Sequence, residues 1–239
     1  RMSKARDSIE DLKTIDANLA AKAPIASPSF TGTVTAESTS ADVLKLNRAT
    51  ANGDTNLILQ SNGADTAKIH ALSVGDLAFH TGASGSLTEK MRINAAGIVT
   101  KPLQPAFSAK ANTQNNMGLN AWLVIAFANQ RFDQNQDYAS NTFTAPVTGK
   151  YQLQVSVRLD NIDTSTQYYQ VRIRTSNRNY HSICDFDGMS TDPSYWNFNN
   201  SVLADMDAGD TCVVEFIQAS GNSQTDINDE SYFNGYLVC

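Results

Sequence analysis

A mostly β chain is predicted, with a short helical stalk at its start, a β-structured shaft, and a two-sheet sandwich at its end. Three observations carry this reading. From Tyr151 to Leu159 apolar and polar side chains alternate without a break, the period of a strand with one face in a core and one in water. Between residues 37 and 101, short apolar pulses recur between Gly, Asn and Asp turns at the spacing of an all-β segment. Residues 1–20 lack Gly and Pro and repeat apolar side chains at helical spacing.

The stalk covers residues 1–22. Met2, Ala5, Ile9, Leu12, Asp16 and Leu19 follow the a/d positions of a heptad. So short a helix is marginal alone in water, so a coiled coil is expected, with Ile9, Leu12 and Leu19 in a trimer interface. Residues 23–36 form an extended linker, in which Pro24 ends the helix and Pro28 and Gly32 keep the chain out of regular structure. The shaft, residues 37–101, carries the pulses Val43–Leu46, Leu57–Leu59, Ala67–Ile69, Leu77–Phe79, Met91–Ile93 and Ile98–Val99. One copy has too few large side chains to build a core; three copies around an axis would share one and close the sheet edges.

The head spans residues 102–239, with Pro102 and Pro105 at its boundary. Its longest predicted strand is the alternating one, with Tyr151, Leu153, Val155, Val157 and Leu159 on the core face. Pro146 and Gly149 form the corner that sets its register, and a slip of one residue would turn all five outward. Some head strands are apolar on both faces. Phe233, Gly235 and Leu237 oppose Tyr232, Tyr236 and Val238; Cys212, Val214 and Phe216 oppose Val213 and Ile217; Trp122, Val124 and Ala126 oppose Leu123, Ile125 and Phe127. A sandwich buries one face of each strand, so a threefold interface is expected on the other, with Tyr232, Tyr236 and Val238 in it.

Four segments of the head carry a resemblance, in order. They are Val124-Ile-Ala-Phe127 with Phe132 and Tyr138; Phe143-Thr-Ala-Pro-Val-Thr-Gly-Lys-Tyr151; Asp207-Ala-Gly-Asp210; and Phe233-Asn-Gly-Tyr-Leu237. Over residues 105–239 the chain resembles the trimeric jelly rolls typified by the globular head of complement's first-component q subunit, relatives of tumour necrosis factor. The resemblance implies an antiparallel jelly-roll β-sandwich and a homotrimer, but not a particular function. Two further phrases resemble the tail fibres of bacteriophages and prophages. Ala26-Ser-Pro-Ser-Phe-Thr-Gly-Thr-Val34 is similar to the phrase at which a helical stalk hands over to a β shaft. Leu87-Thr-Glu-Lys-Met-Arg-Ile-Asn-Ala-Ala-Gly-Ile-Val99 is similar to a shaft phrase. In such fibres a self-cleaving chaperone domain often follows; here a jelly roll follows, and no protease chemistry is implied.

Composition narrows the function. The formal charge is −6 with no run of Lys or Arg, which argues against nucleic acid. No apolar run is long enough to span a bilayer, and no signal-peptide pattern opens the chain. Cys184 and Cys212 read as buried thiols and Cys239 as a free one. His70, His80 and His181 are scattered, and none is paired at ligand spacing. No nucleophile elbow, phosphate loop or Ser-His-Asp set is present, so no enzyme is expected. The many acids of the head make a glycan-depolymerising tailspike the weaker alternative. Asp226-Ile-Asn-Asp-Glu230 offers oxygens for Ca²⁺ but matches a calcium loop poorly, so no cofactor is expected.

Aromatics among amides and carboxylates are the clue to binding, because flat rings suit sugar C–H faces while planar polar groups suit hydroxyls. Residues 178–200 look like the least strand-like part of the head. There Tyr195, Trp196, Asn197 and Asp187 are the candidate receptor contacts, with the loops Asn161 to Thr166 and Asn222 to Glu230 next in line. The expected protein is thus the distal part of a phage tail fibre, a virion component assembled in the host cytoplasm and acting outside the cell. It would grip a host-surface glycan or protein receptor and join other tail proteins through a further N-terminal part. A lectin-like trimeric adhesin, cellular or secreted, is the rival reading.

Overall fold

The computed structural model describes residues 53–83 and 85–239. The predicted stalk and linker, with Ile9, Leu12, Leu19 and the phrase at residues 26–34, lie outside them, as does the Val43–Leu46 pulse. Every regular element among the described residues is a strand.

The first five strands are β1 (Thr55–Ser61), β2 (Ala64–Ala71), β3 (Leu77–Thr81), β4 (Thr88–Ile93) and β5 (Val99–Thr100), joined side by side in chain order. Asn62 and Gly63 link β1 to β2 with positive φ at both positions, the demand of a tight two-residue hairpin. Asn94 links β4 to β5, its side-chain oxygen accepting from the N–H groups of Ala96 and Ile98. Cross-strand pairing puts Ile69, Phe79 and Met91 on one face and Lys68, His80 and Glu89 on the other. Among the described residues before Pro105, only Ala78 is fully buried. This sheet therefore has no core of its own, in keeping with the sparse large side chains of its sequence.

The head contains β6 (Ala106–Lys110), β7 (Leu123–Val124), β8 (Asn129–Asp133), β9 (Tyr138–Ala139), β10 (Thr142–Thr144) and β11 (Gly149–Asp160). There follow β12 (Tyr168–Thr175), β13 (Asn179–Cys184), β14 (Tyr195–Met206), β15 (Thr211–Ala219), β16 (Asp226–Ile227) and β17 (Tyr232–Leu237). They make two six-stranded sheets. One runs β14-β11-β17-β6-β8, with β16 also on β11; the other runs β13-β12-β15-β10-β9, with β7 also on β15. This is a jelly-roll sandwich.

Strand β11 runs in the predicted register. Tyr151, Leu153, Val155, Val157 and Leu159 are all buried, while Gln154 is exposed. The Tyr151 hydroxyl donates to the Val147 carbonyl at 2.7 Å, tying the strand to the Pro-Val-Thr-Gly corner that precedes it. Between the sheets Phe107 stacks on Tyr138 and Phe143 and meets Phe233 edge-on. Gly235 lets β17 approach this cluster: a Cβ there would meet Leu153 Cδ2 at 2.7 Å and Phe107 Cε1 at 2.9 Å. The first and last strands of the head, β6 and β17, are hydrogen-bonded neighbours. The Leu237 N–H also donates to the Pro105 carbonyl at 3.0 Å.

Three expectations change. Residues 178–200 are largely strand: β13 and β14 take all but Arg178 and the loop 185–194, and Tyr195–Met206 pairs with β11 along its whole length. Their polar character reflects an edge strand whose outer face is open, not a loop. The second face of β15 is covered within the chain. Val213, Glu215 and Ile217 are buried, with Glu215 accepting from Arg172 and Arg174, and Arg172 lying 3.7 Å from the centre of the Trp122 ring. Finally, the run around Trp122 yields only the two-residue β7, with Ile125 and Phe127 in the core and Trp122 serving as a lid on Arg172.

Candidate binding surfaces

Two surfaces of the head stand out. The first is the outer face of the β14-β11-β17-β6-β8 sheet. Inward positions alternate with outward ones, and the outward set includes Gln152 and Gln154 on β11, Asn234 and Tyr236 on β17, and Leu203 on β14. Phe132, Leu203, Tyr236 and Val238 are large hydrophobic side chains left exposed in the single chain. Ala106, Ser108, Gln152, Gln154, Phe132 and Tyr236 line an open depression of about 470 Å³ on this face. Two of its lining side chains, Phe132 and Tyr236, are exposed aromatics, which suits the face to another surface rather than to water.

Of the predicted interface residues, Ile9, Leu12 and Leu19 lie outside the described residues, and the other three lie on β17 or directly after it. Tyr236 and Val238 are exposed, and Tyr232 is half-buried.

The second surface is the end of the sandwich where β11 finishes. Asp160, its last residue, pairs with Tyr195 and with Asp226. Here the stretch after β6, the loop 161–167, the loop 185–194 and the stretch 220–231 meet. Asp192 fastens two of them to each other: its Oδ1 accepts from the Thr164 N–H at 2.9 Å and hydroxyl at 2.6 Å, and its Oδ2 accepts from Gln224 at 3.1 Å. These bonds hold the Asp192 carboxyl below its ordinary pKa. Asp226 fastens two more, accepting from the Asn116 N–H and from the Asn161 side chain, both at 2.7 Å. Beneath them Asp163 is nearly fully buried. Its carboxylate accepts from the Ser165 N–H and hydroxyl and from the Asn222 N–H. Burial pushes its pKa up, but those three donors outweigh burial and the net shift is downward. The backbone of this tip is thus fixed by its own side chains.

The four predicted receptor contacts do not share one face. Trp196 lies on the core side of β14, half-exposed, and packs edge-on against the buried Phe186 ring with centroids 5.2 Å apart. Tyr195 and Asn197 point to the opposite, open side, where Arg158 lies 5.6 Å from the centre of the Tyr195 ring. Asp187 is exposed in the loop 185–194, on a polar cleft of about 530 Å³ that it shares with Asp185, Thr164, Ser165, Gln167 and Ser220. The second-choice loops, Asn161 to Thr166 and Asn222 to Glu230, supply Asp163, Thr164 and Gln224 to this end of the head, although the sequence does not show which side chains bind which loop. The signal in the sequence is the run of small polar turn residues from Asn161 to Gln167; in the structure Asn161 and Ser220 are both at positive φ.

The residues weighed for ions and chemistry are placed as follows. In the Asp226–Glu230 stretch each acid is bound to a different protein donor: Asp226 as above, Asp229 to Lys110 and Glu230 to Arg158. Among the described residues, no three His, Cys, Asp or Glu side chains gather at metal-binding distance. Cys212 is buried, with its thiol pKa pushed up by burial; Cys184 is half-buried and Cys239 exposed. His70 and His80, expected to be unrelated, lie side by side on β2 and β3.

Residues 106–238, more than half of the chain, match the C1q domain family. The chain belongs to that family. Domains of the C1q and tumour necrosis factor type usually assemble as trimers. Among solved structures, the globular domain of zebrafish complement 1qA protein is 19% identical, with a TM-score of 0.42 over 57% of this chain and 98% of its own. Murine APRIL is 9% identical, with a TM-score of 0.40 over 56% of this chain and 99% of its own. No curated protein matches the chain. Neither binding surface of this C1q domain is assigned by these likenesses. The β14-β11-β17-β6-β8 sheet of the domain carries the exposed apolar face, and the loop end carries the fixed polar cleft.

Proposed function

We propose that this chain is the distal part of a phage or prophage tail fibre, a homotrimer whose C1q head grips a host-surface receptor, with a glycan as the favoured class. The observation that carries the assembly is the open sheet face bearing Phe132, Leu203, Tyr236 and Val238. Large apolar side chains clustered on one sheet of a soluble domain mark a partner surface, and for a C1q domain a threefold copy of itself is the fitting partner. The single-layered sheet of β1–β5, with its Ile69, Phe79 and Met91 face, supports the same conclusion for the shaft.

The receptor would bind at the tip. Its loops are locked by Asp163, Asp192 and Asp226, and they present hydroxyls, amides and carboxylates without demanding that the loops order on binding. Three such sites on one rigid axis would turn modest single-site affinity into firm attachment without catalysis. The C1q head by itself fits a cellular or secreted trimeric adhesin equally well. The phrases at residues 26–34 and 87–99 favour the fibre.

The test is competition. Purified trimer should block adsorption of a phage carrying this fibre to its host cells. Thr164→Ala with Asp187→Ala should weaken that block while leaving the trimer intact. Release of reducing sugar from host polysaccharide would instead make the protein a depolymerase. Binding to animal-type glycans with none to bacterial cells would favour the adhesin.

A further inference from the structure

Strands β2 and β3 bring His70 and His80 together from positions ten residues apart, one strand from the other. Nδ1 of His70 lies 3.4 Å from Nε2 of His80, with ring centroids 5.4 Å apart and planes at 46°. Two imidazole nitrogens each about 2.0–2.1 Å from one tetrahedral metal ion stand about 3.4 Å from each other, so the gap between these two is that of a shared ion. The frame around them is fixed. His70 pairs with Ala78 and Lys68 with His80 across the strands, and Ala78 is fully buried.

The charges facing the pair are Lys68 on β2 and Glu89 and Arg92 on β4, with Asp76 bonded to Arg92 from the turn before β3. Both Glu89 oxygens accept from Arg92, which leaves the two imidazoles as the protein's ligands.

We propose that His70 and His80 form a two-histidine site for a divalent transition metal on the shaft sheet, with water completing the coordination. Imidazole donors select Zn²⁺, Ni²⁺ or Cu²⁺ over Ca²⁺ or Mg²⁺. Binding needs both facing nitrogens unprotonated. The proton that one ring donates to the other therefore leaves as the ion enters, and affinity falls in acid.

The test uses the whole untagged chain with accessible thiols blocked, titrated calorimetrically with Zn²⁺ and Cu²⁺ at pH 7.5 and pH 5. One ion per chain is expected at the higher pH, with binding lost at the lower one. His70→Gln and His80→Gln, which keep polar side chains of similar size, should each weaken binding about tenfold or more. His181→Gln, in the head, should leave it unchanged. The Cu²⁺ paramagnetic resonance spectrum should show coupling to two nitrogens in the parent and to fewer in each variant. Undiminished stoichiometric binding in the His70/His80 double variant would overturn the site, as would no binding by the parent or a spectrum without nitrogen coupling. A melting curve run on each variant keeps loss of metal separate from loss of fold.

Discussion

At the scale of single residues the tip depends on Gly221. Its φ is +84°, and a Cβ there would collide with the Asp163 carboxylate that the loop wraps. Gly221→Ala should cost on the order of 2–3 kcal/mol through strain and clash together, read as a lowered melting temperature. An unchanged melting curve would show that the loop relaxes around the methyl. Asp163 adds a pH dependence. Its folded pKa lies below the unfolded value, so the folded state holds the proton less tightly. Its contribution is present above about pH 4 and is lost as the pH falls through the folded pKa. Acid should therefore loosen the tip before the core, seen as faster amide exchange at Ser165 and Asn222. Asp163→Asn should be destabilised at pH 7 and lose little more in acid.

At the scale of elements, β11 is the clearest test of register. Val155→Asp places an unpaired carboxylate between the sheets and should cost on the order of 4 kcal/mol, enough to prevent folding of the head. Gln154→Asp, one residue away, should leave each head folded. It would, however, set like charges on the face proposed for assembly, so the expected loss is of trimer rather than of fold, read by light scattering and circular dichroism together. Equal unfolding by both would refute the register. The same strand explains what could be read in the sequence: its alternation is local, and both faces of β11 carry the pattern of one side in a core. Strand β14 is hard to read because Asn200 interrupts the every-second-residue series Trp196, Phe198, Val202, Ala204 and Met206, and the opposite face, Tyr195, Asn197, Asn199 and Ser201, has the polar composition of a loop. The buried second face of β15 was misread because its cover comes from Trp122, Arg172 and Arg174, residues distant in sequence whose stacking and ion pairs no periodicity reveals. The tip cleft was legible only as a set of turn residues. Which acid binds which loop depends on contacts made across the fold.

At the scale of the whole molecule, the exposed face predicts association. Light scattering at micromolar concentration should give about 78 kDa from chains of 25.9 kDa. Tyr236→Asp or Leu203→Asp should shift that value toward the single chain without abolishing the β signal in circular dichroism. A monomeric parent would remove the basis for avidity and, with it, the proposed role. Because the surfaces proposed for assembly and for receptor contact differ, a variant at the tip and one on the sheet face should fail differently. The first would stay trimeric and not attach; the second would attach weakly because it acts one site at a time.

The neighbouring placement of β6 and β17 also bears on inheritance. A unit whose first strand and last strand lie side by side, joined by the bond from Leu237 to Pro105, can be lifted out and replaced without threading a new chain through an old one. A crossover between two genes near the codon for residue 105 would hand over all four loop regions of the tip at once. It would leave β1–β5 as they were. If the proposed receptor role holds, binding specificity in such a lineage would then change by exchange of entire heads. The same seam is the place to graft a foreign head in the laboratory.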